Sequence, residues 1–256
     1  MIKILLSGCN GRMGRAICDI CSKSEDLKIV AGLDINTTQL SDFPVYDDIT
    51  KVQEQADVAI DFSNPQVLKS LLNYCIDKKL PVVISTTGHS DTQIAEITAA
   101  SKKIPIFRSG NMSLGINVLL MLVERAASIL GDTFDVEVIE KHHNQKVDAP
   151  SGTALMIADR LKDSLPYNAE YIYDRHNVRQ KRDRKEIGLH SVRGGTIVGE
   201  HEVIFAGRDE VVEIKHTAQS REVFAAGAVK AGAFLAECTS PGLYDMDDLV
   251  RKFIKL

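Results

Sequence analysis

The sequence predicts an α/β protein: a doubly wound parallel sheet, plus an inserted α+β domain that has a mixed or antiparallel sheet. Two observations favour this fold class. Over the first 113 residues short apolar runs alternate with helical patterns, as in parallel strands that are joined by right-handed crossover helices. Beyond them, several strand-like runs are joined by glycine-containing turns, which favours antiparallel pairing. We therefore expect one domain from residues 1–113 and 220–256, and an inserted domain from residues 114–219.

The first domain is predicted from periodicity and from turn residues. Apolar residues at three- and four-residue spacing indicate helices, and short continuous apolar runs indicate buried strands. Proline suits a first helical turn, so a helix is expected to begin at Pro65. The predicted strands are residues 2–7, 28–33, 58–62, 81–85 and 104–107, and the other predicted helices are residues 12–22 and 92–100.

The inserted domain shows a different order of elements. It is expected to begin with a long amphipathic helix and to continue with a strand, a second helix and three further strands. Turns at Gly194-Gly195 and at Gly207 are expected to join antiparallel strands. After these strands the C-terminal helices are expected to return to the first domain. The predicted helices are residues 114–130, 151–165 and 221–237, and the predicted strands are residues 136–139, 188–192, 196–205 and 211–216.

Composition excludes several classes of protein. With 44% hydrophobic and 26% charged residues, the chain resembles an ordinary globular protein and not a disordered, collagen-like or disulfide-stapled one. A net charge of −4 argues against a nucleic-acid partner, because phosphate contacts need a basic face. No apolar run approaches the roughly 20 residues that span a membrane. Five cysteines, an odd number, and no signal segment favour reduced thiols and a cytoplasmic location.

A glycine-rich loop lies between the first predicted strand and the first predicted helix. Residues 8–14 have the spacing G-x-x-G-x-x-G, with Asn10 where a G-x-G-x-x-G loop has its second glycine. Such glycines allow a tight turn and close approach to a pyrophosphate at the helix N-terminus. An acid, Asp34, follows about 20 residues later at the end of the second strand. This context predicts a Rossmann-type dinucleotide-binding domain.

The residues around Asp34 predict which dinucleotide is preferred. Its carboxylate can accept hydrogen bonds from ribose hydroxyls, and it repels a 2′-phosphate. The next residues, Ile35 and Asn36, offer no cation. We therefore expect NADH to be preferred, while the guanidinium of Arg12 leaves NADPH possible.

The densest chemistry lies in residues 140–154, between a predicted strand and a predicted helix. Neighbouring imidazoles and a lysine suit proton transfer and anion binding. Ser151 begins a helix whose free N–H groups are ready for a carboxylate. A metal site is the alternative, as is a packing role. However, adjacent side chains of an extended segment point opposite ways, and Cys18-x-x-Cys21 lacks a second ligand pair, so we expect no metal.

Four motifs together resemble one enzyme family. They are residues 8–14, residues 140–154, residues 216–221 with 224–228, and Arg193-Gly194-Gly195 with Gly199-Glu200-His201. The chain resembles, over nearly its whole length, the 4-hydroxy-tetrahydrodipicolinate reductases, or dihydrodipicolinate reductases, of lysine and diaminopimelate biosynthesis. The resemblance implies reduction of a small cyclic dicarboxylate with NADH or NADPH, and a homotetramer.

The resemblance also implies roles for individual residues. His142 resembles the proton donor and Lys146 its catalytic partner, which also binds substrate. Substrate carboxylates would be bound by His143, Gly152 and Thr153 as well. Two positions depart from the family: Ile35 stands where members that use NADPH well carry arginine, and Ser85 where glycine is frequent. The residues that resemble cofactor contacts are Gly8, Cys9, Asn10, Gly11, Arg12, Met13, Asp34, Ser85, Thr86, Thr87, Ser109, Gly110, Asn111 and Met112.

Three other functions were compatible with parts of the sequence. The nearest is another two-domain NAD-dependent dehydrogenase that acts on a small carboxylate or an amino acid, against which residues 140–154 discriminate. A non-catalytic NAD sensor would not need His142 and Lys146. A zinc-dependent hydrolase would contain metal, which elemental analysis would detect.

Overall fold

The computed structural model describes residues 1–176 and 179–253. The chain divides into two compact units, Met1–Leu114 with Glu222–Leu256, and Gly115–Arg221. Of the predicted domains, residues 177–178 and 254–256 lie outside the described part. The strands are β1 (Ile2–Ser7), β2 (Leu27–Leu33), β3 (Val45–Tyr46), β4 (Val58–Asp61), β5 (Val82–Ile84), β6 (Pro105–Arg108), β7 (Asp135–His142), β8 (Glu170–Ile172), β9 (Glu186–Arg193), β10 (Gly199–Ala206), β11 (Val211–Ala218) and β12 (Gly242–Tyr244). The helices are α1 (Arg12–Ser22), α2 (Leu68–Lys78), α3 (Asp91–Ser101), α4 (Leu114–Leu130), α5 (Gly152–Ser164), α6 (Glu222–Ala236) and α7 (Met246–Phe253).

The first unit contains a parallel sheet with the order β12-β6-β5-β4-β1-β2-β3. The order reverses at β1, because β2 lies on one side of it and β4 on the other. In such sheets ligands bind at the carboxyl ends of the strands beside the reversal. This arrangement confirms the predicted fold class and predicts where a dinucleotide binds.

Helices cover both faces of this sheet. Along β1, Leu6 packs in a cluster with Ile17 of α1 and Leu235 of α6, whereas Leu5 packs in a second cluster with Leu71 of α2. Alternate side chains of a strand point to opposite faces, so the strand is buried on both sides. That is why its sequence is a continuous apolar run.

The second unit contains a mixed sheet with the order β11-β10-β7-β9-β8. Its β7 is parallel to β9 and antiparallel to β10. The turn at Gly207 joins the antiparallel pair β10 and β11, as predicted. Gly194-Gly195 also joins strands that run antiparallel, β9 and β10, because β7 is parallel to the first and antiparallel to the second. These two strands nevertheless do not pair with each other. Strand β7, from earlier in the chain, lies between them.

One face of the mixed sheet is covered by α4 and α5. Val136 and Val138 of β7 pack there against Leu120 and Ile157 in a single apolar cluster. Along β7 the buried positions alternate and continue to His142. The face is therefore apolar where β7 begins and polar where it ends, which leaves room for a chemical site beside an apolar core.

Most predicted elements agree with the structure to within a few residues. Strand β7 extends to His142, three residues beyond the predicted end, and the helix expected from Pro65 begins as a 3-10 turn that leads into α2. Strands β3, β8 and β12 and helix α7 were not predicted. Among the described residues no helix combines the length and the apolarity needed to cross a bilayer.

Candidate active site

The glycine-rich loop connects β1 to α1 and depends on close backbone approach. Gly8 has φ of +78°, and a Cβ there would lie 2.5 Å from the carbonyl oxygen of Phe62. A Cβ on Gly14 would lie 2.2 Å from the carbonyl oxygen of Gly8. Helix α1 has no acidic residue in its first turn. Its free N–H groups and positive dipole end therefore remain available to a phosphate.

Asp34 and Asn10 tie the glycine loop to the segment after β2. The carboxylate of Asp34 accepts hydrogen bonds from the backbone N–H of Asn10 at 2.9 Å and from that of Asn36 at 3.0 Å. The side-chain amide of Asn10 donates to the carbonyl oxygens of Asn36 and Thr38, at 2.6 and 2.9 Å. Asparagine in place of the second glycine therefore links the loop to the acid.

A cavity of about 500 Å³ opens at the carboxyl ends of β1, β2 and β4. This volume is within the range of small-molecule sites. The predicted residues Gly8, Gly11 and Asp34 line it, as does Ile35. The glycine cradle, the acid and the cavity together fit a dinucleotide. The other residues that line the cavity are Ser7, Leu33, Asp47, Asp48, Ile49, Phe62, Ser63, Asn64, Val67 and Ser70.

The other predicted cofactor residues follow β5 and β6 at the same edge of the sheet. Ser85 and Thr86 are 9% exposed, and the Thr86 hydroxyl donates to the carboxylate of Asp61 at 2.5 Å. The Ser109 hydroxyl donates to the carbonyl oxygen of Asn111 at 3.1 Å, which forms a small polar turn. These segments do not line the 500 Å³ cavity. Thr87 and Gly110 are exposed beside them.

Side chains of the predicted cofactor residues are not equally accessible. Cys9 and Met112 are buried in the apolar core, so only their backbone could meet a ligand. Burial, together with the nearby charge of Asp34, raises the pKa of Cys9 to about 12, so it remains a thiol. Met13 packs partly against the core, whereas Arg12 is exposed.

In the second unit, the end of β7 carries a buried acid and a histidine on the same face. The Nδ1 atom of His142 lies 2.5 Å from Oε2 of Glu140, and the two residues are 8% and 1% exposed. Arg193 donates two hydrogen bonds to the same carboxylate, at 2.8 and 2.7 Å. The backbone N–H of Ser151 donates to it at 3.2 Å. Glu140 thus joins β7, β9 and the start of α5.

The charge of Glu140 is well compensated. Burial alone raises the pKa of its carboxyl, but hydrogen bonds from Arg193, His142 and Ser191 outweigh burial and lower the pKa to about 2. The acid is therefore ionised near neutral pH. His142 contacts this acid through Nδ1, so its Nε2 atom is the one that remains for another partner.

His201 on β10 completes this polar cluster. Its ring meets that of His142 edge to face, with centroids 5.2 Å apart, and its Nε2 lies 3.1 Å from the Ser151 hydroxyl. Burial, and then the nearby His142, lower the pKa of His201 to about 4, so it is neutral near pH 7. The sequence places His201 and Arg193 in a motif but does not show what they contact. Their contacts depend on the pairing of strands that are far apart in the sequence.

The remaining predicted substrate residues lie between β7 and the first turn of α5. Lys146 Nζ is 2.8 Å from Oδ1 of Asp148. His143 is half-buried just after β7. Ser151 caps α5 by accepting a hydrogen bond from the N–H of Ala154 at 3.1 Å. Gly152 and Thr153 begin that helix, which has no acidic residue in its first turn.

Within residues 1–176 and 179–253, no group of three or more His, Cys, Asp or Glu side chains is placed to hold a metal ion. Cys18 and Cys21 lie in α1, and burial raises the pKa of both thiols. Neither therefore has the thiolate character of a redox or zinc-binding cysteine.

Comparison with known sequences agrees with this geometry. The sequence profile described as dihydrodipicolinate reductase, N-terminus, matches residues 2–112. The profile described as dihydrodipicolinate reductase, C-terminus, matches residues 115–250. The chain belongs to the dihydrodipicolinate reductase family. The resemblance drawn from the sequence motifs is thereby confirmed. The chain is an oxidoreductase of this family, with a nicotinamide cofactor.

Individual relatives cover nearly the whole chain. The 4-hydroxy-tetrahydrodipicolinate reductase of Caldanaerobacter subterraneus subsp. tengcongensis is 54% identical over 98% of this chain and 99% of its own length. The reductase of the same name from Clostridium tetani is 53% identical over 96% of each chain. Among solved structures, dipicolinate-bound dihydrodipicolinate reductase from Paenisporosarcina sp. TG-14 has a TM-score of 0.80 at 24% identity. It covers 96% of this chain and 97% of its own. That structure supports the fold.

Proposed function

We propose that this protein reduces 4-hydroxy-tetrahydrodipicolinate to tetrahydrodipicolinate in lysine and diaminopimelate biosynthesis, with His142 as the proton donor and Lys146 as its partner. The observation that carries the proposal is the Glu140–His142 pair beside the start of α5, within the segment whose sequence resembles the family most specifically. The first unit supports it with a glycine cradle and a cavity for the dinucleotide. When bound, the nicotinamide supplies the hydride.

The reaction requires one proton for each hydride. The 4-hydroxyl group leaves as water, which gives a conjugated imine. Hydride addition to that imine then leaves an electron pair on the substrate, and a proton must neutralise it. In the proposal His142 donates that proton from Nε2, while Glu140 retains its hydrogen bond with Nδ1–H. A positioned histidine suits this task because its ordinary pKa is close to the working pH. His142 then regains a proton from solvent before the next turnover.

A small dicarboxylate also needs cations and N–H donors. Lys146 supplies a charge that is now shared with Asp148, whose side chain is 57% exposed. His143, Gly152 and Thr153 are adjacent to the start of α5, where backbone N–H groups bind carboxylates well. We therefore assign substrate binding to these residues and to Lys146.

We also propose that NADH is the preferred cofactor. Asp34 lines the dinucleotide cavity together with Asp47 and Asp48, so that a 2′-phosphate would meet several carboxylates. Ile35 lines the same cavity and is 91% exposed, where an arginine would have met that phosphate. Arg12 is exposed nearby on α1 and leaves slower use of NADPH possible. A comparison of kcat/KM for the two cofactors tests this, and a strong NADPH preference would refute it.

The decisive experiment follows oxidation of NADH after addition of the dihydrodipicolinate synthase product to purified protein. We expect rapid oxidation, and we expect His142→Ala to lower kcat by roughly 10²–10⁴, the usual contribution of a general acid. Lys146→Ala should lower kcat and weaken substrate binding. His176→Ala is the matched control, since His176 is a 74% exposed histidine of the same unit. An unchanged kcat in His142→Ala would remove that residue from its role.

We propose a homotetramer as well. Support comes from the second unit, where β11 is an edge strand and Val211 on it is 57% exposed. Unpaired edge strands with apolar residues readily join other chains. Sedimentation of the purified protein measures the mass directly, and a monomer would contradict the proposal. The proposed reaction needs no nucleic-acid or membrane partner, and we expect it to take place in the cytoplasm.

A further inference from the structure

We propose that Glu140 and Arg193 are a positioning pair that fixes the orientation and the proton-bearing nitrogen of His142. In the function proposed above, His142 and Lys146 carry the chemistry. Glu140 enters there only as a contact of His142, and Arg193 has no part in it. The inference rests on the proposed function, because it concerns how His142 releases a proton.

The contacts of the Glu140 carboxylate leave it little freedom to rotate. Oε1 accepts hydrogen bonds from Nη2 of Arg193 at 2.7 Å and from the N–H of Ser151 at 3.2 Å. Oε2 accepts from Nη1 of Arg193 at 2.8 Å and meets Nδ1 of His142 at 2.5 Å. Fork-shaped pairing of this kind is geometrically specific. The imidazole is therefore held by an acid that is itself held from two other elements.

This pairing decides which nitrogen acts. Nδ1 carries the proton that Glu140 accepts, so the transferable proton belongs to Nε2. A Cβ on Gly199 of β10 would lie only 3.1 Å from that Nε2 atom. Glycine at this position therefore keeps Nε2 uncrowded on the side of the neighbouring strand.

Arg193 weakens the electrostatic attraction between the Glu140 carboxylate and a protonated His142. A lone buried carboxylate would retain the imidazolium proton tightly, because an opposite charge nearby favours the charged form. The guanidinium of Arg193 offsets the charge of Glu140 and so eases proton release. It also donates to the carbonyl oxygen of Asp148 at 2.6 Å, which connects the pair to the loop that carries Lys146.

Other charged groups around His142 belong to several elements. His201 is neutral near pH 7, since its pKa is lowered to about 4, first by burial. The pKa of His216 is also lowered by burial. Neither ring therefore repels an imidazolium. The charged and titratable groups of the cluster that His142 forms with Glu140, Arg193 and His201, and of its surroundings, belong to five segments. They are Glu140 on β7, Arg193 on β9, His201 on β10, His216 on β11, and Lys146 and Asp148 before α5.

The test is the pH dependence of kcat in two single variants. Proton donation fails as pH rises, so the profile has an alkaline limb. We expect Glu140→Gln to move that limb to lower pH by about one unit, and Arg193→Gln to move it to higher pH by about one unit. Loss of packing alone would lower kcat in both variants without moving the limbs apart. Limbs that stay in place, or move the same way, would overturn the inference.

A control and a second measurement keep the test decisive. Glu137 lies on the opposite face of β7 and pairs with Arg182 at 2.9 Å, so Glu137→Gln is expected to leave the limb unmoved. ¹⁵N NMR of histidine-labelled protein, assigned with His142→Asn, should show a proton on Nδ1 that loses its low-field shift in Glu140→Gln. An Nδ1 without a proton in the wild type overturns the inference. If Glu140→Gln does not fold, Gly199→Ala is expected to lower kcat more than it raises KM, and an unchanged kcat counts against the inference.

Failure of the two proposals can be told apart. If His142→Ala retains full kcat, the proposed function fails, and the inference about proton release fails with it. If His142→Ala loses activity but the limbs of Glu140→Gln and Arg193→Gln coincide with that of the wild type, only the positioning role fails.

Discussion

The two units build their sites from different materials. In the first, the glycine-rich loop that we propose as the dinucleotide cradle is backbone. Its essential features are places where a single Cβ would not fit, at Gly8 and Gly14. In the second, the site is a cluster of buried charged and polar side chains around Glu140, Arg193 and His142. A site that depends on close backbone packing should be insensitive to pH but sensitive to any added side-chain volume. A site that depends on charged side chains should tolerate a change of side-chain volume better than a change of charge. We therefore expect added side-chain volume to affect the first unit more than the second, and a change of pH to affect the second unit more than the first.

The largest expected effect on stability is steric and lies in the first unit. Gly14→Ala places a methyl group 2.2 Å from the carbonyl oxygen of Gly8 and 2.5 Å from that of Cys9. Backbone cannot retreat as a flexible side chain can, so we expect a loss of about 3 kcal/mol in the free energy of unfolding and loss of cofactor binding. Urea unfolding and NADH titration measure these two quantities.

Gly194→Ala is the matched control in the second unit. A Cβ at Gly194 meets no heavy atom within 4 Å among the described residues. We expect the free energy of unfolding to change by no more than about 0.5 kcal/mol. Equal effects of the two alanines would break the contrast between the units.

The next effect is electrostatic and lies in the second unit. His201 has a pKa of about 4 in the folded protein, against 6.5 for an ordinary histidine. The unfolded chain therefore binds more protons between these values, and stability falls as pH falls. From pH 7.5 to pH 5 this histidine should cost the fold about 2 kcal/mol. The carboxylate of Glu140, with its pKa near 2, contributes to pH dependence only in more acidic solution.

His201→Gln should remove this part of the pH dependence while keeping a polar group near Ser151. Unfolding free energies at several pH values, for wild type and variant, measure the difference. A variant whose stability falls as steeply as that of the wild type would show that His201 is not the group responsible.

The smallest expected effect concerns cofactor choice. Ile35 is exposed and lines the dinucleotide cavity, so Ile35→Arg can place a cation there without disturbing the core. We expect kcat/KM for NADPH to rise by roughly tenfold relative to NADH, which is about 1.4 kcal/mol. Ile35→Gln, polar but uncharged, is the control. If both variants respond equally, charge is not what discriminates.

Local pattern was enough for most of the fold. The long strand and helix patterns, such as α1 and α4, were found because their apolar periodicity covers many residues. Strands β3, β8 and β12 have two or three residues, too few for a period to be visible. The position of β7 between β9 and β10 could not be predicted. Strands that follow each other in the chain are usually expected to pair, whereas here both pair with a strand from much earlier in the chain.

The site was only partly predictable, for a related reason. His142 and Lys146 stand within five residues of each other, so their chemistry is visible in a short segment. The contact between Glu140 and Arg193 spans 53 residues and depends on the pairing of β7 with β9. Asp47 and Asp48 were missed as cavity-lining residues because the short strand before them was missed. The roles of individual residues remain predictions.

Asn10 has a consequence for how cofactor preference can change. Its backbone N–H donates a hydrogen bond to Asp34, and its side chain donates to the segment after that acid. The glycine-rich loop and Asp34 therefore hold each other in place. A substitution of Asp34 that is meant only to admit a 2′-phosphate would also remove a hydrogen bond that holds the loop proposed to bind the pyrophosphate. We therefore expect this protein to gain use of NADPH more readily from a cation added beside an intact Asp34 than from replacement of Asp34.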